Sequence, residues 1–217
     1  MCSRYFVNAE LWETVERQFP EITGEEALPD PFARATGDIR PSMPAPALIA
    51  GADDALSAAA LIWGFPGFDG KRPVINARAE SVAQKNMFAE SFRGRRCVLP
   101  AAGFYEWNRT KEKYTFTPDR SPVLYLGGVW RMYGGDARFV IITREANASM
   151  LPVHDRMPLL IPQEKVRDWL LAPREAEKLL AEPLPRLTSG TEYKQMSLFD
   201  EEDRNGEHNE SSIQDHL

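Results

Sequence analysis

The chain changes its hydrophobic period several times. In NAELWETVERQF, Leu11, Val15 and Phe19 recur every four residues between polar ones, and Asn8 stands where a cap belongs; this predicts a short amphipathic helix. LPDPFARATGDIRPSMPAP is rich in Pro, Gly and Asp and is predicted as an ordered but irregular loop. Beyond it, ALIA and AALIWGF read as strands parted by a Gly-Ala-Asp-Asp turn, and PVINARAE as another. Ser81 is placed to cap a helix from Val82 to Arg93, with Phe88 and Phe92 on one face. Short β-rich runs follow: RRCVLP, GFYEWN, KYTFTP, PVLYLGGVWRMY and ARFVIITREA. QEKVRDWLL and REAEKLLAE are late helices. Many strands, few helices and no βαβ alternation predict a single α+β domain, its sheet mostly antiparallel and barrel-like and flanked by helices. The domain is expected over residues 2–190, and residues 191–217 as a flexible acidic tail.

Composition narrows the setting. The 217 residues are 43% hydrophobic and 27% charged, ordinary for one globular domain. No run approaches the ~20 apolar residues of a membrane span, and the N-terminus lacks a secretory pattern. The two cysteines, Cys2 and Cys97, form no disulfide framework and fit a reducing compartment, so a cytoplasmic protein is expected, and nothing in the sequence suggests more than a monomer. Without CxxC or paired-histidine spacing, neither a metal nor another cofactor is expected. The net charge is −6, yet seven of the 32 acidic residues and one of the 26 basic ones follow Phe199, which leaves residues 1–199 formally neutral. Lys71, Arg72, Arg78, Arg93, Arg95 and Arg96 cluster within that body. They suit a phosphate-contacting patch or, equally, a solvated surface with local ion pairs.

Candidate chemistry begins at MCSRYF. Trimming of Met1, normal before a small residue, would give Cys2 a free α-amine (ordinarily ~7.7–8.0) beside a thiol (~8.5). Such a pair takes an aldehyde through an imine into a five-membered thiazolidine ring, which an internal cysteine cannot do. Glu106 in GFYEWN lies among Phe104, Tyr105 and Trp107. It is either a poorly solvated carboxylate suited to proton transfer, or a solvent-facing strand residue or arginine partner. His154 in LPVHDRMP is the one histidine outside the tail, held between Pro152 and Pro158 beside Asp155; it is either a proton-transfer group that Asp155 orients or simply an exposed loop residue. In INARAE, strand alternation would put Asn76, Arg78 and Glu80 on one face, as a phosphate-binding set or as a polar surface with an Arg78–Glu80 pair.

In this order, MCSRYF, WGF, INARAE, RRCVLPAAGFYEW, IITREAN and HDRMP resemble the SRAP family, the abasic-site-processing proteins once called SOS response-associated peptidases. The resemblance covers roughly residues 2–170. It implies binding of single-stranded DNA with an abasic site and a covalent thiazolidine crosslink that shields the lesion in the DNA damage response. Cys2 would be the nucleophile. Asn76 would position the amine and the opened sugar, Glu106 would handle protons, and His154 would assist proton transfer, including reversal. Arg4, Arg78 and Arg156 would contact phosphate or sugar, Trp63, Gly64 and Phe65 would pack against bases, and Thr143 would lie near the reacting centre. Phe68 stands where the family commonly has tryptophan.

Just before the tail, Gln195–Phe199 (QMSLF) resembles the bacterial sliding-clamp pentapeptide, with Leu198 and Phe199 for an apolar pocket and Gln195 for its rim; packing of the same residues on the domain is the competing expectation. Other readings also stand. They are β-elimination as a lyase, a cysteine peptidase that releases its own Met1, an N-terminal-cysteine amidotransferase (which typically has Gly where Ser3 stands) and a non-enzymatic adaptor.

Overall fold

The computed structural model describes residues 2–22, 36–51, 54–67, 70–119 and 121–191. Met1, Phe68, residues 28–35 of the predicted irregular loop, the pentapeptide at 195–199 and the acidic tail lie outside them.

Twelve strands occur among the described residues: β1 Tyr5–Val7, β2 Gly37–Ile39, β3 Pro44–Ala50, β4 Leu56–Trp63, β5 Asn76–Arg78, β6 Arg96–Ala101, β7 Gly103–Trp107, β8 Lys113–Pro118, β9 Leu124–Tyr133, β10 Asp136–Glu145, β11 Arg156–Pro158 and β12 Leu187–Thr191. The helices are α1 Ala9–Gln18, α2 Ala79–Val82, α3 Ala89–Gly94, α4 Val166–Leu171 and α5 Pro173–Leu179. Strands β10, β4, β3, β6 and β9 pair in that order, and β9 pairs back onto β10. The result is a closed five-stranded barrel, a solution that leaves its ring strands without free edges. A second sheet runs β12-β8-β7-β1-β2. The α+β expectation with a mostly antiparallel barrel holds. The parallel joins are β4 and β5 to β10, which runs past the barrel seam and carries β5 on one side and β11 on the other.

Pattern accounts for most of these elements. Asn8 accepts a hydrogen bond from Leu11 N at 2.9 Å and caps α1, which buries Leu11, Trp12 and Val15. Inside the barrel, Gly128 faces Cys97 across the β6–β9 pair, where an added Cβ would lie 2.7 Å from Val140 O and 3.0 Å from Cys97 Sγ. Close strand approach requires glycine there.

Three local expectations change. The helix expected over 82–93 is two short ones, because Ser81 O accepts from both Gln84 N and Lys85 N and closes a turn. The turn separates the two aromatics: Phe88 packs toward Phe65 and Phe92 toward Trp169. The INARAE strand stops at Arg78, the N-cap of α2, so Glu80 belongs to a helix. Arg96, counted with the surface cations, is 4% exposed. Its guanidinium donates to the carbonyls of Phe92, Arg93, Trp169 and Leu170, tying α3 and α4 to the barrel. Desolvation by burial lowers its pKa.

Candidate functional site

The site forms where the small sheet meets the barrel. Strand β1 pairs antiparallel with β7, Tyr5 opposite Phe104, and Tyr105 N donates to Arg4 O at 3.0 Å. Carried two residues back, this register sets Ser3 across from Glu106. Strand alternation then sorts β7: Phe104 and Glu106 are buried, while Tyr105 and Trp107 are half-buried on the other face. Glu106 is 5% exposed, which removes the solvent-facing reading of GFYEWN. Trp107 N donates to Glu106 Oε1 at 3.3 Å.

Cys2 is fully buried. Burial, and then the negative Glu106 carboxylate, push its thiol up to about 12, offset in part by a hydrogen bond from the Arg4 backbone. Asn76, 74 residues away, donates from Nδ2 to Cys2 O at 3.0 Å. Its Oδ1 is buried with no hydrogen-bond partner among the described residues. Strand β5 holds Asn76 through parallel pairing with Ile141 of β10. Ile75 O takes the Trp63 indole N–H at 3.0 Å, and Trp63 lies against the Tyr5 ring at 5.4 Å. The fold thus brings the Asn76 amide onto the Cys2 carbonyl and the buried Glu106 carboxylate close enough to act on the Cys2 thiol.

His154 stands in the turn before β11. It lines a cleft of about 750 Å³ with Trp107, Asn108, Arg109, Leu151 and Asp155. Arg156 N donates to His154 Nδ1 at 3.0 Å, and Asp155 Oδ1 lies 2.9 Å from the same nitrogen. One nitrogen cannot serve both at once. With its proton on Nε2 the neutral ring accepts from Arg156 at Nδ1, whereas a ring with hydrogen on Nδ1 donates to Asp155.

The remaining expected contacts divide sharply. Arg78 is exposed. Arg4 is 29% exposed, 3.5 Å from Asp38 and 5.3 Å over the Trp107 ring. Arg156 is engaged, with Nη1 and Nη2 on Glu80 at 2.6 and 2.9 Å and Nη2 on Thr143 O at 2.6 Å. The Arg78–Glu80 pairing is therefore replaced by Arg156–Glu80. Trp63, Phe65 and Thr143 are fully buried. Trp63 stacks on Phe139 at 5.9 Å, and Phe65 packs on Tyr133 at 5.1 Å. Gly64 holds φ +116° with Pro73 Cβ 2.7 Å from where a Cβ would stand, between the end of β4 and the Phe65–Val74 bridge. Sequence reading missed Glu80 and Asp38 as partners of Arg156 and Arg4. Adjacency within NARAE and HDRMP was the available signal, and it pointed to the wrong arginine.

Among the described residues no cluster of three or more His, Cys, Asp or Glu could hold a metal, and no helix is long and apolar enough to cross a membrane.

The chain is 28% identical over 199 residues to the abasic site processing protein YedK of Escherichia coli, covering 83% of this chain and 86% of that one. It is 36% identical over 107 residues to the abasic site processing protein YoaM of Bacillus subtilis, covering 45% and 47%. A crystal structure of a Bordetella bronchiseptica protein shares the fold, with a TM-score of 0.72 at 22% identity over 88% of this chain and 99% of that one. The family model described as SOS response associated peptidase (SRAP) matches residues 1–197, and the chain belongs to that family.

Proposed function

We propose that this protein processes abasic sites in single-stranded DNA by forming a covalent crosslink through Cys2 once Met1 is removed. The observation that carries the reading is the Asn76–Cys2 hydrogen bond in a pocket shared with the buried Glu106. The names of the relatives agree with it. In the ring-opened form an abasic sugar is an aldehyde. The α-amine of Cys2 adds to that carbon and water leaves, giving an imine. The thiol then adds across the C=N bond, its proton passing to nitrogen, and closes the thiazolidine. The thiol attacks last and within the same residue, so a pocket that disfavours free thiolate is compatible with the chemistry. The unpartnered Asn76 Oδ1 is an acceptor for the amine or a sugar hydroxyl. Glu106 shuttles the protons of imine formation, and His154 serves the leaving water and the reverse reaction. Arg78, exposed beside this pocket, meets phosphate.

The test is a denaturing gel of Met1-processed protein with a single-stranded oligonucleotide carrying one abasic site. A heat-resistant shifted band is expected for wild type and lost with Cys2→Ala or an undamaged strand. No band from a confirmed free N-terminal cysteine overturns the reading. The family's description favours a second one, a peptidase whose substrate includes its own Met1. It uses the same thiol and is separated by substrate: intact-mass measurement of Cys2→Ala and Glu106→Gln would then show Met1 retained.

A further inference from the structure

Two motifs that lie far apart in sequence are clamped together behind the site. Glu80 follows Asn76 by four residues, and Arg156 follows His154 by two. The guanidinium of Arg156 grips both Glu80 carboxylate oxygens and also donates to Thr143 O. Thr143 belongs to β10 and sits between Arg78 of β5 and Pro158 of β11. The clamp therefore crosses β10 and joins α2, which follows directly on the strand that carries Asn76, to the strand that follows His154. It also fixes the Arg156 backbone, whose N–H is the group that His154 Nδ1 accepts. Bidentate arginine–carboxylate geometry is well suited to holding an orientation.

We propose that Glu80 is a positioning residue: through Arg156 it sets the tautomer and place of His154 relative to the Asn76–Cys2 pair. Its catalytic consequence rests on the DNA reading, whereas its effect on the imidazole does not.

Full-length, Met1-processed protein with 15N-labelled histidine gives two-bond 1H–15N imidazole spectra at pH 8.5 without DNA. The chain has three histidines, so comparison with His154→Gln assigns the signal. Wild type is expected to show one fixed Nε2–H tautomer. Glu80→Ala is expected to show the averaged pattern of an unrestrained ring. Its first-order crosslinking rate at saturating abasic strand is expected to fall about tenfold, within the ~100-fold that a 1 Å misplacement can cost. The dissociation constant for a non-abasic strand is expected to stay within about twofold. Glu80→Gln, which keeps one of the two hydrogen bonds, recovers part of both effects. Glu80 is 51% exposed at its side chain, so the variants fold, which thermal melts check. A wild-type tautomer pattern in Glu80→Ala overturns the proposal, as does a loss confined to strand affinity. If wild type forms no crosslink, the DNA reading falls and the imidazole spectra alone decide the role of Glu80.

Discussion

The two cysteines occupy equally dry places and differ in what else is there. Cys97 sits inside the barrel on β6, fully buried, its thiol pushed well up by desolvation. Strand pairing and packing surround it, with Gly128 opposite and the Trp169 indole on its carbonyl at 2.9 Å. Cys2 is just as buried, yet a carboxylate raises its thiol further and an asparagine amide holds its carbonyl. Burial alone makes a cysteine inert. Polar groups placed in the same dryness make a site, because they act there at low effective dielectric.

The largest effect should follow from breaking this contrast directly. Cys2→Ser abolishes the crosslink, while Cys97→Ser leaves its rate within about twofold, read on the same denaturing gel. Equal loss in both would mean that Cys97 takes part and that the barrel is not merely a scaffold. Removing the barrel's own polar anchor has a different signature. Arg96→Ala leaves four carbonyls without a donor and should cost on the order of 3–5 kcal/mol in urea unfolding. A loss below about 1 kcal/mol would show that α3 and α4 hold the barrel without it.

Arg96 also shows why some of the molecule was legible in sequence and some was not. The capped helix α1 and strands β6 to β10 follow from local period and turn residues, which the chain states outright. Burial of a charge does not: Arg93, Arg95 and Arg96 look alike in sequence, and only packing sends the third inward. Trp63 and Phe65 carry the same ambiguity, since an aromatic suited to stacking on a base is equally suited to Phe139 or Tyr133. Barrel closure through the parallel joins to β10 is nonlocal and left no periodic trace. Strand β11 was hidden by the prolines on either side of HDRM. The site residues were legible as residue types. Their meeting was not, because Asn76 reaches Cys2 across 74 positions.

Glu106 offers a sharper test of the same contrast, because two readouts should move in opposite directions. Its carboxylate raises the Cys2 thiol, so Glu106→Gln should lower that pKa from about 12, though burial keeps it above the ordinary 9.0. Thiolate at a given pH then increases, and iodoacetamide should label Cys2 faster, measured in a Cys97→Ser background. Crosslinking should meanwhile slow by about 100-fold, the scale of a lost general acid–base group. Parallel changes in the two rates would mean that Glu106 acts only through the thiol.

The smallest effect concerns the clamp. The hydrogen bond from Arg156, with a lesser cost of burial opposing it, holds the Glu80 carboxyl below its ordinary 4.5. A depressed carboxyl contributes stability above its unfolded pKa of ~4.3 and loses it as pH falls through the folded value. Wild type should therefore exceed Glu80→Gln at pH 7, and the gap should narrow as pH falls below about 4.3. Solvent reaches about half of the Glu80 side chain and screens the pair, so the gap at neutral pH should stay under about 1 kcal/mol. Urea unfolding at pH 7 and pH 3 reads it, and the tail carboxylates cancel because both proteins carry them. A gap that persists unchanged at pH 3 would mean that shape, not charge, makes Glu80 matter. The clamp would then resemble the packing around Cys97 more than the charged pocket around Cys2.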